Sequence, residues 1–166
     1  MSDYRRAPLT PPSPANAWLA EHTERLRCSF HHWTGRDLVD PALDPVAAAR
    51  WLYQAPFALV SHDDQADPCF NYANLTAQRL FERRWEEFVG LPSRLSAEAP
   101  LREERRRLLE QVSRHGYIDD YRGVRISRSG RRFLIEQATV WNVLDIQGRL
   151  IGQAACFSRW RWLGMP

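Results

Sequence analysis

The stretch YIDDYRGVRISRSGRRFLIEQATVWNVLDIQGRLIGQAACFS, Tyr117 to Ser158, reads as three long strands in succession. Tyr117–Arg128 meets Arg131–Leu144 across Ser129-Gly130, a hairpin turn with glycine where positive φ is wanted. Arg149–Ser158 returns across Asp145-Ile146-Gln147-Gly148, a longer turn of the same kind. By simple alternation in the middle strand, Phe133, Ile135, Gln137, Thr139 and Trp141 share one face. Leu134, Glu136, Ala138 and Val140 share the other, and neither face is wholly polar. Such an antiparallel sheet needs cover on both sides.

Working outward, Pro100 to His115 reads as a helix, with Leu101, Leu108, Leu109 and Val112 inside and Gly116 just past its end. Further upstream, Phe57–Ser61 and Cys69–Tyr72 are strand-like runs joined by an Asp-rich turn, and they predict a hairpin. Asn74 caps a helix carrying Leu75, Leu80, Phe81 and Trp85, and a short helical piece with Phe88 and Val89 stops at Gly90 and Pro92. At the N-terminal side, Asp44-Pro45 starts a helix through Trp51 and Leu52. A longer amphipathic helix spans about Asn16 to Trp33, with Leu19, His22, Leu26, Phe30 and Trp33 on one stripe and Gly35 after it. Residues 1–14 are proline-rich and predict a disordered lead. The chain therefore divides into that lead, a helical extension over 15–54 and a sheet domain over 55–163.

Composition narrows the function classes. The 166 residues, 44% of them hydrophobic, suffice for one packed domain. The charge of +3 comes from 23 basic and 20 acidic residues that are interleaved, a pattern of solvated helix faces. No nucleic-acid partner is expected from so weak a field. All basic residues are Arg, which excludes Schiff-base lysine chemistry and the P-loop lysine. Cys28, Cys69 and Cys156 are odd in number and widely spaced, which fits reduced, mostly buried thiols in a cytoplasmic protein better than a disulfide framework. No window is apolar enough to span a bilayer, so no membrane partner is expected.

Four stretches carry a family resemblance: APFALVSHDDQADPCFNYANLTAQRLF (Ala55–Phe81), LPSRLSAE (Leu91–Glu98), GYIDDYRGVRISRSGRRFLIEQATVWNVLD (Gly116–Asp145) and GQAACFSRW (Gly152–Trp160). They resemble the MEKHLA domain of the bacterial stand-alone type, a PAS-related module that also ends plant class III homeodomain–leucine-zipper proteins. The resemblance implies an α+β fold, a PAS-like five-stranded antiparallel sheet with helices on one face and an N-terminal helical extension. It implies sensing or protein association. It brings no ligand, and without a homeodomain or zipper it brings no DNA binding.

Candidate chemistry is sparse. Cys28 and His32 sit four apart on one helix face, a metal-gripping spacing, but further ligands would have to come from the region of His62 to Cys69. His62-Asp63-Asp64 ends the first strand without a nucleophile motif, so the loop reads as a turn and no enzyme is expected. There is no Asn-Cys pair for a flavin adduct and no convincing axial histidine for haem, so no cofactor is expected. Tyr121, Arg125, Gln137, Asn142 and Gln153 stand out as polar residues in apolar strands. Buried and unpaired, each would cost about 1–3 kcal/mol. Either they pair with one another and with Asn71 or Asn74, or they line a cavity and meet a ligand. Trp141 can stack on a planar ligand or fill the core. Arg94, Arg102 and Arg105 can recognise a carboxylate or phosphate beside such a cavity, or simply form solvated helix faces.

The functional expectation is a small-molecule-binding or signal-sensing module acting through a homodimer. Its candidate pocket is Asn71, Asn74, Tyr121, Arg125, Gln137, Trp141 and Gln153, and its ligand is an unidentified small molecule. Leu19, Leu26, Phe30 and Trp33 are expected to cover the open sheet face, in cis or across the dimer. The alternative is a protein-interaction domain with a solid core and no ligand.

Overall fold

The computed structural model describes residues 10–98 and 101–164. The sheet order is β2-β1-β5-β4-β3, with β1 at Ala58–Asp63, β2 at Phe70–Ala73, β3 at Tyr117–Ile126, β4 at Arg132–Leu144 and β5 at Leu150–Phe157. All pairings are antiparallel. A sixth strand absent from the sequence reading, β6 at Arg159–Trp162, pairs with the first part of β4. β5 covers the second part of β4, so β5 and β6 together track its length.

Two α-helices precede the sheet. α1 is Ala20–Thr34 and α2 is Pro45–Tyr53. α2 has the expected cap: the Asp44 carboxylate accepts from the Ala47 amide at 2.9 Å. α1 starts later than its apolar stripe suggests. Ala17, Trp18 and Leu19 all have left-handed φ, near +55°, inside an irregular turn at Pro14–Leu19. Its other end is as expected, with Gly35 at φ 71° accepting the left-handed closing position. The expected disordered lead lies outside the described residues up to position 9, and beyond it Pro12 is buried.

Between β2 and β3 come α3 (Leu75–Phe81), α4 (Trp85–Phe88), a short 3-10 turn and α5 (Arg102–His115). Trp85 belongs to α4 rather than to the Asn74-capped helix, because Glu82 turns left-handed at φ 57° and ends α3.

The two sheet faces bury different cores. On one face Ala58, Val60, Ile135, Ala138 and Phe157 pack under α3 and α4, and Val140 packs under Leu108 and Val112 of α5. On the other face Leu59, Trp141, Val143 and Ala154 pack under Leu26 and Phe30 of α1 and Leu52 of α2. The helical extension and the sheet therefore share one core. No helix among the described residues is long and apolar enough to cross a membrane.

Simple alternation along β4 does not survive. Gln137 has φ 54°, and the pairing steps from Tyr121↔Ala138 to Gly123↔Ile135, so two β4 residues oppose one on β3. This bulge shifts the parity by one. Phe133 and Ile135 come to share a face with Ala138 and Val140, while Thr139 and Trp141 turn to the side of α1.

Candidate functional site

β1, β5 and β4 set three polar residues side by side: His62 pairs with Gln153, and Gln153 pairs with Asn142. Directly opposed residues in an antiparallel pair share a face, and here that face lies under α5. The two amides dock the helix. Asn142 Nδ2 donates to the Val112 carbonyl at 2.9 Å, and Gln153 Nε2 donates to the Leu109 carbonyl at 2.9 Å. Gln153 Nε2 also lies 3.1 Å from Asn142 Oδ1. Both amides are spent mostly on structure.

Beside them lies a cavity of about 60 Å³. Apolar walls come from Val60, Phe81, Leu108, Ile135, Val140 and Phe157, and polar groups from His62, Arg105, Tyr121, Arg125 and Gln153. A water needs roughly 10–15 Å³ of such space, so a few waters or one compact molecule fit. A groove of about 530 Å³ runs outside, between α5 and the β1–β2 loop. His62, Arg105, Leu109 and Gln153 line both spaces and form the wall between them.

The polar corner opposite is built on Gly123. A Cβ there would stand 2.3 Å from the Tyr121 hydroxyl and 3.1 Å from Arg125 Nη1, so the missing side chain is what lets these two meet. Arg125 Nη2 donates to Tyr121 Oη at 3.1 Å, and Nη1 donates to the Val124 carbonyl at 2.9 Å.

Two buried residues of the wall carry polar groups without a hydrogen-bond partner among the described residues. Arg105 is 8% exposed, and its guanidinium makes no hydrogen bond or ion pair with them. Burial first, and the Arg125 charge second, bring its pKa down to about 10, so it stays charged at neutral pH. Asp67, the carboxylate whose field acts on it, is bonded to Arg94 at 3.2 Å. His62 is also 8% exposed. Its Nδ1 lies 2.7 Å from the Asp63 carbonyl, which can only accept, so Nδ1 carries the proton and Nε2 is left as an acceptor. That buried Nε2 has no hydrogen-bond partner. Burial lowers the imidazole to about 4 and the Arg105 charge adds to this, against the opposing Asp63 and Gln153 groups.

Of the sequence-predicted pocket residues, Tyr121, Arg125 and Gln153 reach the cavity. The others do not. Trp141 is fully buried on the opposite face, where the bulge at Gln137 sends it. Gln137 itself is exposed at the bulge and borders a shallow surface groove. Asn71 accepts from the Ser61 hydroxyl, and Ser61 also contacts His22 of α1 at 3.0 Å. Asn74 is fully buried and structural: Oδ1 accepts from Leu59 and Ala77 amides, and Nδ2 donates to the Leu52 and Phe57 carbonyls.

Of the three arginines, Arg94 is engaged at the surface, Arg102 donates to the Ala97 carbonyl, and only Arg105 turns inward to the cavity. His62 is the residue that sequence reasoning passed over as a turn neighbour. Its signal was parity, since Ala58, Val60 and His62 fall on one face of β1. The loop after it is held by Asp63, whose Oδ1 accepts from the Cys69 amide at 3.0 Å. The thiols are free, but Cys28 is exposed, contrary to the buried setting expected for it. Burial pushes the half-buried Cys156 thiol up to about 12.

Solved structures share this architecture at low identity. A PAS domain of a protein from Colwellia psychrerythraea superposes with a TM-score of 0.58 at 16% identity, covering 69% of this chain and 92% of that one. An RNA-binding light-oxygen-voltage receptor gives 0.57 at 20% identity, over 72% of this chain and 33% of that chain. A light-oxygen-voltage domain studied with a flavin analogue gives 0.51 at 16% identity, over 70% and 84%. No curated protein matches. The model of the MEKHLA domain family matches residues 20–162, so it takes in α1 and α2 with the whole sheet. The chain belongs to the MEKHLA domain family and has the fold of PAS domains.

Proposed function

We propose that this chain is a non-catalytic, cytoplasmic signal-sensing module that takes a small molecule into the cavity beneath α5 and relays its presence through dimerisation. The observation that carries the reading is the pair of buried, unpartnered polar groups, Arg105 and His62 Nε2, on the wall of one cavity. Buried polar groups are ordinarily paired; a ligand can partner the Arg105 donors, and a water held beside it can donate to His62 Nε2. Fold likeness to sensory domains supports the same direction. α1 fills its own sheet face, so a dimer would use apolar side chains that stay exposed, chiefly Val46 and Trp51 on α2.

The small size of the cavity favours one other reading, a protein-interaction domain with a solid core. Native mass spectrometry of the purified protein beside its denatured mass separates them. A sensor retains a bound small molecule or gains one from a metabolite mixture, and light scattering on the eluted species reads the dimer. Equal masses, with no mixture component bound, favour the solid core.

A further inference from the structure

We propose that the ligand is a short monocarboxylate, two to three carbons long, whose carboxylate is clamped between Arg105 and Arg125 and whose tail lies on the apolar wall. The inference rests on the sensing reading and names the chemical class that the site accepts.

Charge gives the first argument. Arg105 and Arg125 both line the cavity, and the Arg125 charge disfavours the charged form of Arg105. No carboxylate among the described residues lines it with them, although acidic residues are plentiful in the groove outside, at Asp63, Asp64, Asp67, Glu103 and Glu110. Two guanidiniums facing a space without a counter-charge make an anion site. Arg105 spends no donor on the described residues, and Arg125 keeps those not spent on Tyr121 and Val124. A guanidinium fork matches the planar carboxylate in geometry as well as sign.

Size and polarity give the second. The cavity holds only a few non-hydrogen atoms, and its mostly apolar wall includes Val60, Leu108, Val140 and Phe157. A tetrahedral phosphate or sulfate would bring three or more wet oxygens against that wall, whereas a short carboxylate brings two oxygens and a methyl or ethyl group. The Tyr121 hydroxyl stands beside the fork as a further donor. Arg105 and His62 also face the outer groove, which gives an anion its approach.

The test is a thermal-shift and calorimetric titration of the full chain at constant ionic strength. Acetate, propionate, pyruvate and lactate are the probes, with acetamide as the neutral isostere and phosphate and chloride as other anions. At least one monocarboxylate should bind saturably and raise the melting temperature, and acetamide, phosphate and chloride should not. Arg105→Met and Arg125→Gln should each weaken that binding at least tenfold. Arg105→Met should also melt at or above the unliganded wild type, because it removes a buried unpaired charge. A merely structural arginine would melt lower on loss. Monocarboxylate binding unchanged in both variants would overturn the assignment of the site. A different, neutral ligand found by native mass spectrometry, with no carboxylate bound, would overturn the ligand class and leave the sensing reading standing. No ligand of any class would overturn both.

Discussion

Phe30 of α1 sets its ring edge-on to Trp141 of β4, with centroids 5.0 Å apart and planes at 69°, while Trp141 Nε1 donates to the Leu26 carbonyl at 3.3 Å. Trp33, one turn further on, donates to the Asn142 carbonyl at 2.9 Å. Helix and sheet are thus joined by aromatic packing and by two indole donors. The same strand segment carries Asn142 on its other face, where it holds α5. α1 and the cavity roof are fastened to opposite sides of one stretch of β4.

Removing α1 should uncover that face. A chain beginning at Pro41 loses Leu26 and Phe30, each contributing roughly 1.5–3 kcal/mol by burial, and exposes Trp141, Leu59 and Val143. It should aggregate, or melt at least ten degrees lower. Size-exclusion chromatography with light scattering and a melting curve read this. A truncated protein as soluble and as stable as the full chain would show α1 to be an appendage.

Gly152 faces Asp63 across β5 and β1, and a Cβ at Gly152 would stand 2.1 Å from the His62 carbonyl oxygen. Backbone cannot swing aside as a side chain can. Gly152→Ala should therefore cost about 2–3 kcal/mol, while Gly164→Ala, with nothing within 4 Å, should be neutral. Urea midpoints of the two variants decide, and equal midpoints would contradict the close approach.

At Gly123 the obstacle is the Tyr121 hydroxyl, the end of a side chain. Gly123→Val should destabilise by over about 1 kcal/mol, and its cost should shrink when Tyr121 is first cut to Ala. A double-mutant cycle measures the coupling. Purely additive effects would mean that the strand, not the tyrosine, requires glycine.

Acid should weaken the fold through His62. Its folded pKa, near 4, lies below the unfolded value of 6.5, so the unfolded chain binds the proton more tightly. The stability this histidine confers is complete above about pH 6.5 and is lost as the pH falls towards 4. At pH 5 the loss should be about 2 kcal/mol relative to pH 7. The half-buried His22, stacked on Tyr72 and also held near 4, acts in the same direction. His62→Gln should flatten the profile between pH 7 and 5, and an unaltered slope would place the titration elsewhere.

Where the elements lie was legible because their signals are local. Asp44 before Pro45, Asn74 before Leu75, and Gly35 and Gly116 after the last helical turns act within a few residues, and each sits at the boundary it predicts. Period-two apolar runs likewise located five of the six strands. β6 escaped because four residues of alternating Arg and Trp after Ser158 look like a tail until β4 offers them an edge.

Which side each strand residue faces was not local. The left-handed Gln137 inserts one residue into β4 only in relation to β3, and that single insertion moves Trp141 from the expected pocket to the floor beneath α1. Asn74 looks like a cap in the sequence, yet three of its four bonds reach back to Leu52, Phe57 and Leu59, which only the folded chain brings near. Arg105 stands among charged neighbours on a helix that reads as solvated. Its burial comes from what packs around α5, because desolvation is a property of the surroundings and not of the residue. The order of helices and strands, and the caps that bound them, were thus determined by the sequence itself. Strand parity, the cover on each sheet face and the unpaired charge in the cavity were decided by tertiary contacts, whose partners lie far apart along the chain.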